Sequence, residues 1–378
     1  SGCPSGAQQI TVASGASLNT YLSVVTRLLL RRGETFTTSS LSLPSNFILS
    51  SYGSGASPVV NVGAIVGGAL SIAKASVNVI VSDINFVGSG TGQGIIPGTN
   101  NTFLRLGILN FDSAISTSET YGLKEGNIFA DNTFGPSVRY DIYYKYGNHV
   151  GLIGNRFEDV NCEHLMRSYL THSLLAHNIF RGGHTAKTQL KFVGYYPTGH
   201  IDRETEAPTE TVEFSIISDN VFERSDPIDW MITLGPVDQS KDERMQDVIF
   251  ERNLMRSDPA TQVMLYANNN YITVRNNVFD GSLSDGVTAI TVTRRGIEPG
   301  PLGYSIYNNT FFSSNSGGPF NSVRIDAVAQ NTTVRNNLIN GPSSRTIANS
   351  GTGTIDDHNL LVTGSPFTNP SALDFTLR

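Results

Sequence analysis

The chain has 378 residues, 37 of them Gly, with 39% hydrophobic and only 15% charged residues and a formal net charge of −6. That apolar share supports a real core and excludes wholesale disorder, while the negative balance argues against general nucleic-acid binding. No run of about 18 apolar residues is present, so no membrane span is expected, and two cysteines, Cys3 and Cys162, are too few for a disulfide scaffold or a Cys-based zinc site.

The N-terminal stretch Ser1-Gly2-Cys3 fits a processed end, and it also fits a lipid-anchored Cys3. The run from Ser17 to Leu30 has helix-compatible apolar spacing and is expected to form a helical cap within residues 1–40. From there the chain repeats itself. Asn is followed two positions on by Phe or a substitute at Asn132, Asn155, Asn178, Asn220, Asn253, Asn277, Asn309 and Asn337, and Phe86 and Phe111 continue the series upstream. The base period is about 23 residues, which marks stacked units. Each unit carries short alternating runs such as Tyr271–Arg275 and Val287–Val292, which read as strands. Three short strands and three turns make one coil of a parallel β-helix, about ten coils over residues 41–340, with a terminal coil or tail at 341–378. The expected Asn role is a turn amide bonded to its neighbour along the stack, and the Phe an inward core position. With no linker in view, the chain reads as one all-β domain.

A solenoid has no pocket of its own, so chemistry is sought in columns of side chains repeated once per coil. Aligning two coils by the 23-residue step, and the next by pattern with Leu190 matched to Met166, brings Tyr144, Arg167 and Lys191 into one column and Tyr146, Tyr169 and Val193 into the next, with Tyr143, Met166 and Leu190 facing the core. Glu163 and Lys187 align as a pair. Two cations one coil apart repel, which favours a lysine able to act as general base. Arg167 would hold a substrate carboxylate and Tyr144 or a nearby His would supply a proton. These are the parts for β-elimination on a uronate polymer. His164, Lys187, Tyr146, Tyr169 and Gln189 surround the trio as binding residues. Tyr195, Trp230, Tyr266 and Arg294 are expected along a groove walled by insertions at 195–212, 235–247 and 294–303. A second arrangement, Asp226 and Asp229 beside Trp230, with Asp238 nearby, carries the carboxylates that glycoside hydrolysis needs. His149 and His172 align in a turn, which suits a structural role.

The elements Leu30-Arg-Arg-Gly-Glu-Thr-Phe36 and Ser51-Tyr-Gly-Ser-Gly-Ala-Ser-Pro-Val-Val60 resemble the opening of secreted, right-handed β-helix proteins of the pectate-lyase-like superfamily, with Glu34 where Asp is usual. The Arg167 and Lys191 pair is similar to that of alginate-lyase-like and chondroitinase-B-like polysaccharide lyases, in reversed order and with Val193 where a His is expected. The resemblance implies a secreted, periplasmic or surface lyase acting on an acidic polysaccharide. A glycoside hydrolase and a non-catalytic glycan-binding protein are the alternatives on the same scaffold. No cofactor is expected to be obligatory, and Ca2+ is the ion the resemblance leaves open, although no dense carboxylate set or EF-hand loop appears.

Overall fold

The computed structural model describes residues 15, 17–22, 25–73, 75–117, 124–184, 186–194, 212–223, 230–235, 244–257, 261–283, 286–294, 300–314, 320–340, 347–372 and 374–377. Short strands alternate among three parallel sheets of 13 strands each; sheets 1 and 2 stack one strand per coil, and sheet 3 stacks twelve, with Lys124–Glu125 beside the end of Tyr140–Asn148 as its thirteenth. Sheet 1 runs from Arg27–Arg31 to Ile355–Asp357, sheet 2 from Thr35–Thr38 to Leu360–Val362, and sheet 3 from Leu41–Ser42 to Ile347–Asn349. The molecule is a parallel β-helix. A hairpin of Phe367–Asn369 with Asp374–Leu377 follows the last coil.

The repeat works as its residue types require. Between sheets 1 and 2 the chain turns through a left-handed residue, for example Gly154, His177 and Asp219, and the next residue is the recurring Asn. Its amide donates to the Asn one coil on at 2.9–3.1 Å, from Asn132 through Asn337 to Asn359. Inside, Phe157, Phe180 and Phe222 stack at 4.4 and 4.6 Å. One apolar core extends from Leu18 to Ile339.

Two expectations are corrected. The coils outnumber the ten expected, because the Phe column continues upstream as Val60 and Phe36 and downstream as Leu361, two of the three without an aromatic ring to mark them. The helical cap is absent among the described residues: only Leu18–Tyr21 forms a 3-10 turn. Arg27–Arg31 is instead the first strand, with Leu28 and Leu30 inward. Alternate leucines satisfy a two-residue period as well as a helical one, and an exposed sheet edge gains more from another strand.

Candidate active site on sheet 3

Sheet 3 places the candidate residues. Its strands Tyr140–Asn148, Met166–Thr171 and Leu190–Phe192 lie side by side in parallel register, with Ile142, Met166 and Leu190 aligned and turned into the core. One position on, the aligned residues are Ser116, Tyr143, Arg167, Lys191, Thr233, Tyr266, Thr291 and Arg324. Arg167 and Lys191 are therefore neighbours one coil apart, about 4.8 Å along the axis, as expected.

Tyr144 is not their partner. It is 0% exposed, its ring meets Phe129 edge-on at 6.1 Å, and its hydroxyl accepts from the Asn127 amide at 2.8 Å. Tyr143 takes its place in the column. The cause is one extra residue in Tyr140–Asn148: register slips between Tyr144 and Gly147, and Tyr146 adopts a left-handed φ of 56°. The 23-residue step holds after this bulge, as from Gly147 to Leu170, and fails before it. In a strand, a slip of one residue moves a side chain to the other face.

Around Arg167 the structure gathers aromatic oxygen rather than carboxylate. Its Nη2 donates to the Tyr169 hydroxyl at 2.9 Å, and its guanidinium lies 5.7 Å from the Tyr143 ring centroid and 5.8 Å from that of Tyr169. Tyr140 stacks on Tyr143 at 4.8 Å, close enough for the charge of Arg167 to act on its hydroxyl. Burial opposes the arginine's charge, but Tyr169 and Tyr143 outweigh it, and its pKa rises above the ordinary value. Its Nε is buried without a hydrogen-bond partner. Other arginines of the coils are neutralised: Arg105 by Asp83, Arg139 by Asp112, Arg181 by Glu223, Arg252 by Asp219 and Arg335 by Asp357, at 2.6–2.9 Å. Among the described residues Arg167 has no such acid.

The phenols remain protonated. Burial, then Tyr169, holds Tyr143 well above the ordinary phenol range, and burial followed by Glu163 raises Tyr140. His164, adjacent to Tyr140 across the sheet, has Nδ1 at 3.0 Å from the Thr188 carbonyl and 2.8 Å from its hydroxyl. A carbonyl only accepts, so Nδ1 carries the proton and Nε2 the lone pair. Burial and the charge of Lys191 pull its pKa down to about 3, so the imidazole is neutral. Lys187 pairs with Glu163 at 3.1 Å, as expected.

Other expected binding residues divide. Tyr146 and Tyr169 are neighbours, with ring centroids 6.4 Å apart, but both are buried in the core cluster, Tyr169 meeting Arg167 with its ring and its hydroxyl. Gln189 is fully buried and its amide donates to the Phe180, Gly182 and Glu223 carbonyls, so it fastens a turn and does not face the column. Trp230 and Tyr266 stand further along the same face with rings 4.7 Å apart. Arg294 is exposed just after Thr288–Val292. The three insertions all leave the ends of sheet 3 strands. Tyr195, Asp226, Asp229, Asp238 and Cys3 lie outside the described residues. No group of three or more His, Cys, Asp or Glu able to hold a metal occurs among the described residues. His149 and His172 stack at 5.3 Å in the turn from sheet 3 to sheet 1.

No protein-family model matches the chain, and no curated protein matches it. Solved structures do. An Azotobacter vinelandii mannuronan C-5 epimerase A-module is 12% identical with a TM-score of 0.52, over 88% of this chain and 91% of its own. A family 28 exopolygalacturonase from Yersinia enterocolitica is 12% identical with a TM-score of 0.40, over 90% and 75%. An alginate lyase from a Paenibacillus strain is 14% identical with a TM-score of 0.38, over 92% and 98%. At these identities the likeness is one of fold, and the fold is the right-handed parallel β-helix.

Proposed function

We propose that this chain is a polysaccharide lyase that cleaves a uronate-containing polymer by β-elimination on the outer face of sheet 3. The observation that carries the reading is Arg167, a partly buried guanidinium lacking a carboxylate partner among the described residues, one coil from Lys191 and ringed by protonated tyrosines. A planar fork with no acid of its own suits a ligand's carboxylate.

In this reading Arg167 binds the uronate carboxylate and stabilises the negative charge that spreads onto it as the C5 proton leaves. Lys191 takes that proton. The electron pair forms the C4–C5 double bond as the C4–O4 bond breaks, and O4 accepts a proton from Tyr143. Tyr140 and Tyr169 hold the guanidinium in place, and neutral His164 adds no charge beside Lys191. The reading assigns charge neutralisation to Arg167, so no metal is obligatory.

The test is a panel of 1,4-linked uronate polymers, with and without a chelator. Ultraviolet absorbance from an unsaturated uronate, undiminished by chelation, supports elimination. New reducing ends without that absorbance favour hydrolysis. Deuterium uptake at C5 without cleavage indicates epimerisation, and binding without turnover a non-catalytic role.

A further inference from the structure

Sheet 1 differs from the other two in what it presents to solvent. One outward column runs Ile48, Ile80, Thr102, Ile128, Gly151, Leu174, Ile216, Ile249 and Thr273. Beside it run Leu29, Ser50, Ser82, Leu104, Ala130, Ile153, Ala176 and Ser218. None of these residues is charged; Arg27 precedes Ile48 in the first column, and past Ser218 come Glu251 and Arg275. The aliphatic side chains are open: Ile128 is 43% exposed, and Leu174 and Ile216 are each 37% exposed. Along the adjoining turn Phe214 is 54% exposed and packs on His172 at 5.3 Å, which widens the apolar surface. Sheet 2 is studded with Arg156, Arg181, Glu223 and Arg256, and sheet 3 with Arg167, Lys191 and Arg324.

We infer that the uncharged face of sheet 1 is an interface between copies of this chain. Eight coils at about 4.8 Å extend it some 34 Å, and two columns with the flanking turn give roughly 500–600 Å² per copy. That reaches the lower end of what specific complexes bury on each side, so association depends on concentration. Charge selects the same occupant. Each chain carries −6, and the columns from Ile48 to Ile216 and from Leu29 to Ser218 let two of them meet with no charged residue at the centre of the contact, the pairs Asp83 with Arg105 and Asp219 with Arg252 standing at its edge. Columns of equal rise also mesh with themselves, as an isologous contact requires.

Sedimentation velocity over a concentration series, at low and high salt, tests this. The chain is expected to show a dimer or larger species that added salt does not dissociate. Ile128→Glu combined with Ile216→Glu is expected to weaken association roughly tenfold or more, while circular dichroism and any lyase activity are retained. Leu360→Glu, on exposed sheet 2, is expected to leave the mass distribution unchanged. If the double variant loses its spectrum, Leu174→Ser, which adds no charge, is expected to weaken association in the same direction. A wild-type monomer at all concentrations, a mass unchanged in the double variant, or an equal loss in Leu360→Glu overturns the inference.

Discussion

Replacing Asn178 tests the ladder on which the coil register depends. Asn178 is fully buried and all four of its amide hydrogen-bonding positions are used. Its Nδ2 donates to the Leu152 carbonyl at 2.8 Å and to Asn220 Oδ1 at 2.9 Å. Its Oδ1 accepts from the Asn155 backbone at 2.9 Å and the Asn155 side chain at 3.0 Å. Each bond contributes about 1 kcal/mol net, so Asn178→Ala is expected to cost about 4 kcal/mol, more where a stranded donor finds no water. Asn178→Asp keeps the acceptor and puts a second oxygen against two other oxygens. At neutral pH it is expected to cost at least as much. Protonation returns one donor, so the folded-state carboxyl titrates high and the deficit shrinks as pH falls. Urea unfolding of the three proteins, with hydrogen exchange at the Asn155 amide, reads both effects. A loss below about 1 kcal/mol in Asn178→Ala, or an Asp variant indifferent to pH, would refute the ladder as a source of stability.

Other consequences are equally specific. Arg167→Lys keeps the charge but loses the fork and the tyrosine contacts, and kcat/KM on a uronate polymer is expected to fall about 100-fold with the fold intact. Tyr143→Phe is expected to lower kcat by a similar factor of about 100, measured beside Tyr144→Phe, which loses only the bond from Asn127 and about 1 kcal/mol of stability while activity stays. Asp141 is fully buried, its Oδ2 lacks a partner, and burial raises its pKa well above 3.8. Below the ordinary carboxylate range both folded and unfolded forms hold the proton; as pH rises, only the unfolded chain releases it, and stability falls. Asp141→Asn is therefore expected to gain stability over wild type as pH rises from 4 to 7, read by thermal unfolding at each pH.

The fold was legible because its signal is redundant. An Asn that must bond its own kind and a Phe that must stack on its own kind recur, mostly together, so each covers coils where the other is replaced, as Asn253 does before Met255 and Phe86 does after Ile84. Where one or both markers were absent, at Phe36 without the Asn, Val60 without either and Leu361 without the ring, coils were missed. The site was legible in part. Arg167 and Lys191 fell together because no bulge separates them, and counting back the same 24 residues from Arg167 lands on Tyr143. The 23-residue step, taken from the Asn markers beyond the bulge, landed on Tyr144 instead. A bulge of this kind leaves little trace in sequence: Tyr140–Tyr146 carries four tyrosines, any of which satisfies either face. Gln189 misled for a related reason, since an amide serves a turn's carbonyls as readily as a ligand's hydroxyls.

The most direct measurement follows the ultraviolet absorbance of unsaturated uronate with wild type, Lys191→Ala and Tyr144→Phe on the same polymer. The proposed lyase reading predicts product from wild type and Tyr144→Phe and none above background from Lys191→Ala. Product formed at the wild-type rate by Lys191→Ala, or by no protein on any uronate polymer, would contradict it.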